Sequence, residues 1–180
     1  MAPGESVAAA AAAGPLDRLF AGGLHGRLLV LGRPPERVLL QLEGWERVAC
    51  VATLGADIRP GTVRAGPHHL PFTEAMFDNA LLSAPLVQPR LVLRELRRVL
   101  APAGLAVVGV KARRLWEGKE AGWRREPLAL RLDEAMFEVL DWQVEQLPER
   151  HHVVLLAKLD GVRPVLVGEA EPAFVAAPAT

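Results

Sequence analysis

Few side chains in this sequence have the type and spacing for chemistry. Its histidines are two adjacent pairs, His68-His69 and His151-His152, with His25 alone. A side-by-side pair can offer a base or a stacking partner for an adenine-like ring. On a strand, however, neighbours point to opposite faces and cannot easily grip one metal ion. There is no His-x-x-x-His pattern, and no spacing of His with Asp or Glu suggests a metal site. The plain reading of both pairs is structural: a polar loop pair at 68–69 and the start of a strand at 151–152. Cys50, the single cysteine, sits in an apolar run and reads as a small buried hydrophobe rather than a nucleophile. One cysteine also excludes an intramolecular disulfide and an all-cysteine zinc site. Ser83 lacks the flanking glycines of a nucleophile elbow, which argues against a serine hydrolase. No catalytic residue can be named.

A different chemistry is offered by residues 111–131. Basic residues outnumber acidic ones there by seven to three, and Trp116 and Trp123 interleave with the arginines. Such a mix can be an amphipathic loop with its tryptophans tucked under it. It can also be a protein-partner surface, since Trp and Arg are favoured at interfaces, or a surface that stacks bases and contacts phosphates.

The elements that must position these residues read as alternating strand and helix. Apolar runs at 27–32, 47–53, 77–83 and 105–110 suit buried strands, with a short extended piece at 62–65. Pro34-Pro35 opens a helical segment ending near Gly44, because proline is tolerated in a first helical turn. Residues 89–101 have Leu93, Leu96, Val99 and Leu100 at helical spacing, with arginines mostly on the other face. The segment 132–140 is expected to give a turn or two of helix. Residues 142–147 and 151–159 then form two strands joined by the Pro148 turn, hence an antiparallel hairpin. The implied fold is α/β: a mostly parallel sheet with helices on both faces and a C-terminal antiparallel hairpin. In such sheets ligands bind beyond the carboxyl ends of the strands.

Composition agrees. Hydrophobic residues make up 51% and charged residues 23%, enough for a packed core and incompatible with a mainly disordered chain. With 21 basic and 21 acidic residues the net charge is zero, which argues against a protein that coats nucleic acid. No apolar run approaches the roughly 20 residues of a membrane-spanning helix. Residues 1–20 are expected to be a low-complexity tail or helix, 21–160 the domain, and 161–180 a flexible tail. With no targeting segment evident, the expected location is the cytoplasm.

Residues 70–110 resemble the class I S-adenosylmethionine-dependent methyltransferases, in particular the small-molecule branch called type 11. The resemblance is carried by Leu70-Pro71-Phe72, by Phe77-Asp78, by Arg94-Glu95-Leu96-Arg97-Arg98-Val99-Leu100 and by Pro102-Ala103-Gly104. It implies a Rossmann-like fold, S-adenosylmethionine as cofactor, and a small-molecule acceptor of the methyl group. It also implies cofactor contacts at Gly32, Leu70 and Ser83.

The cofactor motif is degenerate against that family. The glycine-rich turn after the first strand reads Gly32-Arg33-Pro34-Pro35-Glu36, where only the first glycine remains. The acidic residue that holds the ribose hydroxyls is replaced by Ala52 or Thr53, with Asp57 a few residues on. Gly66-Pro67-His68-His69 stands where an acid approaches the adenine amine. Each charge-assisted hydrogen bond is worth about 1.5–3 kcal/mol. Losing two would weaken binding by roughly two to four decades. Two functions follow. One is a methyltransferase-family protein with weakened or lost cofactor binding. The other is a catalytically inactive scaffold that binds a protein partner through 89–101 or 111–131. A nucleic-acid-binding module is a weaker third.

Overall fold

The run Leu28–Gly32 forms the first strand, β1, because four consecutive apolar side chains can be buried only if both faces of a sheet are covered; Leu28 to Leu31 are all at most 1% exposed. The computed structural model describes residues 14–21, 26–34, 38, 48–52, 62–114, 116–118, 121–147 and 149–159. Of the expected helix at 34–44, only Pro34 and the buried, helical Val38 fall among these; Asp57, His25, 1–13 and 160–180 lie outside them.

Among the described residues, seven strands make one sheet. After β1 come β2 (Val48–Ala52), β3 (Thr62–Arg64), β4 (Phe77–Ser83), β5 (Leu100–Lys111), β6 (Phe137–Leu147) and β7 (Glu149–Lys158). Their order is β3-β2-β1-β4-β5-β7-β6. Strands β1 to β5 pair in parallel, and β7 is antiparallel to both β5 and β6. The expected C-terminal antiparallel hairpin is therefore present, formed by β6 and β7.

Period-two alternation divides the core. Leu29, Leu31, Ala80, Leu82, Ala106, Val108, Val154 and Leu156 share one cluster. It is closed by α2 (Pro89–Val99) and α3 (Arg125–Glu134), through Val92, Leu93, Leu96, Val99, Leu128 and Leu132. Leu81, Val107, Val153 and Leu155 face the other way, against Val38 and against Leu16 and Leu19 of α1 (Pro15–Ala21). Gly14 precedes α1, and its N–H donates to Asp17 Oδ2 at 3.1 Å, which closes the first turn.

Helix α2 ends at Val99, two residues short of the expected limit. Leu100 already pairs with Phe77, and Pro102 disfavours a helical Ala101. The register then jumps, Asn79 pairing with Leu105. The intervening turn brings Gly104 against β4: a Cβ there would stand 2.8 Å from Ala101 O and 3.1 Å from Asp78 O.

The expected helix over 132–140 is corrected. The helix is α3, at Arg125–Glu134, and Phe137 already belongs to β6. Pro127 falls in the first turn of α3, where a missing N–H breaks no helical bond, so it permits the helix instead of ending it. Met136, at φ 60°, turns the chain out of α3 into β6.

Candidate functional site

Gly32 and Ser83 are register partners at the carboxyl ends of β1 and β4. Gly32 has φ +87°, and a Cβ on it would lie 2.4 Å from Ser83 O, so only glycine fits this approach. The next peptide is tied down. Arg33 N–H donates to Ser83 O at 3.2 Å, and Ser83 Oγ donates to Arg33 O at 3.3 Å. Pro34 follows, buried and without an N–H, while the Arg33 side chain is exposed. The structure thus brings Gly32 and Ser83 together, and the backbone between the strands is bonded to itself.

Leu70 is placed differently. Its side chain is 3% exposed in the core cluster. Its N–H donates to Glu95 Oε2 at 3.0 Å, and its carbonyl accepts from an Arg98 Nη at 3.0 Å. Arg98 reaches Phe72 O as well, at 2.8 Å, and forms a two-pronged pair with Glu95 at 2.8 and 2.9 Å. One helical turn of α2 therefore clamps Leu70-Pro71-Phe72. The Arg98 guanidinium is the main cause that brings the Glu95 carboxyl from 4.5 down to about 2, against burial; the Leu70 N–H adds to it. Glu95 in turn raises Arg98 above its ordinary value. No reading of individual residues singled out this pair, although the Arg-Glu-x-x-Arg spacing contained it.

His68 and His69 are exposed on the turn between β3 and β4, closed by a Gly66–His69 bridge. Cys50 lies within β2. The two tryptophans of 111–131 part company. Trp116 is 77% exposed with the Arg114 guanidinium 5.4 Å over its ring. Trp123 packs on the core and exchanges backbone hydrogen bonds with the end of β5. The apolar face of α2 is used by the protein's own core, leaving Arg90, Leu91 and Arg94 exposed.

Unlike its neighbour His151, His152 is 7% exposed. Trp142 Nε1–H donates to His152 Nδ1 and His152 Nε2–H donates to Trp123 O, both at 3.1 Å. Burial, more than any neighbouring charge, pushes this imidazole below its ordinary 6.5. Among the described residues no group of three or more His, Cys, Asp or Glu could hold a metal ion, and no helix is long and apolar enough to cross a membrane.

No family model and no curated protein matches the chain. Solved structures do. A Burkholderia thailandensis 1,6-didemethyltoxoflavin-N1-methyltransferase, bound to 1,6-didemethyltoxoflavin and S-adenosylhomocysteine, is 21% identical with a TM-score of 0.59, over 81% of this chain and 77% of that one. An S-adenosylmethionine-dependent methyltransferase from Aquifex aeolicus is 18% identical with a TM-score of 0.58, over 81% of this chain and 89% of that one. The chain has the Rossmann-like fold of the class I methyltransferases. A methyltransferase fold does not by itself name a reaction. The [4+2]-cyclase SpnF is similar too, at 16% identity and a TM-score of 0.57, over 76% of this chain and 75% of that one.

Proposed function

We propose that this methyltransferase-fold protein has a weakened or lost site for S-adenosylmethionine and works as a non-catalytic binding module. The observation that carries the reading is the bond from Arg33 N–H to Ser83 O. The turn that would cradle the cofactor has its first donor engaged within the sheet, and Pro34 and Pro35 supply none. The residues present do not fit a sulfonium nucleoside. An exposed guanidinium follows Gly32, where it opposes a second positive charge. Ala52 ends β2, where the resemblance calls for a carboxylate on the ribose hydroxyls. Gly32 itself is accounted for by its contact with Ser83 O and needs no ligand to explain it. The exposed Trp116 and Arg114 are the side chains suited to a protein partner.

Calorimetric titration of the full chain with S-adenosylmethionine and S-adenosylhomocysteine tests this. The expected result is no saturable heat up to about 1 mM, following two to four decades of lost affinity. A micromolar dissociation constant would restore the rival reading, an active methyltransferase with a small-molecule acceptor.

A further inference from the structure

We propose that protonation of His152 unlatches the Gly122–Trp123 stretch from the end of β5, giving the protein a pH-sensitive latch beside the carboxyl edge of its sheet. His152 lies on β7 between Val110 of β5 and Val144 of β6. Trp142 presents its indole N–H to Nδ1, so Nδ1 carries the lone pair and Nε2 carries the proton given to Trp123 O. The two rings meet edge to face at 5.4 Å. This is one tautomer of a neutral imidazole, held at both nitrogens. A second proton on Nδ1 would point at a donor. Either the ring turns and gives up the Trp123 carbonyl, or Trp142 withdraws.

The Trp123 carbonyl belongs to a tight backbone junction. It also accepts from Arg113 N–H at 2.9 Å, and Trp123 N–H donates to Lys111 O at 2.8 Å. Gly122, at φ +146°, packs so closely that a Cβ would sit 2.5 Å from Lys111 O. Lys111 ends β5, so the junction stands at the same edge as Gly32 and Ser83.

The charges around the ring come from every packed element. Arg125 of α3, stacked 5.0 Å from Trp142, and Arg150 of β7 oppose a further positive charge, and Glu126 of α3 favours one. Lys111 of β5 is paired with Glu149 at 2.7 Å. Arg113 and Arg124 flank Trp123, and Asp141 and Glu145 of β6 fall on the opposite face of the sheet. Burial is the largest influence and keeps the proton off. The latched form therefore binds its proton below 6.5, and the open form, with the ring in water, near 6.5. Opening grows as pH falls below that value, by at most tenfold per unit.

Native-state hydrogen exchange on the full chain, corrected for the intrinsic pH dependence of exchange, reads this at the Arg113 and Trp123 amides. Between pH 7.5 and 5.5 their opening constants should rise, by up to about tenfold, while Val108 and Leu156 in the sheet stay level. In His152→Gln the rise should vanish, and in His151→Gln it should persist. Should His152→Gln not fold, Trp142→Phe serves: without the opposing N–H the latched form accepts the proton more readily, and the rise should shrink. A flat wild-type profile overturns the proposal, as does a rise that survives in His152→Gln. A change in tryptophan fluorescence with level Arg113 and Trp123 amides also overturns it, because Trp142 would then have moved without freeing the junction.

Discussion

Replacing Glu95 with glutamine keeps the shape of the side chain and removes the charge that holds Arg98 against Leu70 and Phe72. The carboxyl lies at about 2 in place of 4.5. At about 1.4 kcal/mol per unit this shift caps its contribution near 3 kcal/mol. The two side chains remain 20% and 35% exposed, so solvent screening brings the expectation to about 2 kcal/mol. The sign follows from the lowered value. The folded state holds the ionised form more strongly than the unfolded state does. The contribution is complete above 4.5 and is lost as pH falls through about 2, with under half of it left at pH 3. Urea unfolding of wild type and Glu95→Gln at pH 7 and pH 3 measures both quantities. The difference should be about 2 kcal/mol at pH 7 and below about 1 kcal/mol at pH 3. A difference under about 0.5 kcal/mol at pH 7, or one unchanged at pH 3, would refute the clamp.

Gly32→Ala should lower stability by more than about 2 kcal/mol and Tm by about 6 °C, because a left-handed backbone and a clash with Ser83 O act together; an unchanged Tm would mean the strands part there freely. Trp116→Ala should leave stability within about 0.5 kcal/mol, while Trp123→Ala should remove about 2 kcal/mol by emptying its packing on the core. Chemical denaturation of the two variants separates them, and equal effects would contradict the division between an exposed and a tucked tryptophan.

The parallel part of the sheet was legible because burial on both faces leaves no polar position: LLVL and LAVV can be little else. The hairpin followed from a short turn between two strands. The helix expected over 132–140 lies at Arg125–Glu134, because a proline in that stretch admits two roles. Pro127 breaks a helix in its interior and starts one in its first turn, and only the fold decides which. The candidate site was legible in part. Gly32 and Ser83 meet because parallel register carries the ends of β1 and β4 to one row. The Leu70 backbone is held by Glu95 and Arg98, residues 25 and 28 positions away. On paper that pair resembles any solvated pair three residues apart on a helix. His152 was likewise hidden: its two partners, Trp123 and Trp142, come from other elements, and nothing in the local sequence separates it from His151.

The Arg33 amide reports on the central claim most directly. In a titration of the 15N-labelled chain with S-adenosylhomocysteine to about 1 mM, the Arg33 and Ala84 signals should keep their positions, since the Arg33 N–H stays on Ser83 O. Saturable movement of both with a Kd below about 100 μM would show the turn opening to receive the nucleoside, and would contradict the account.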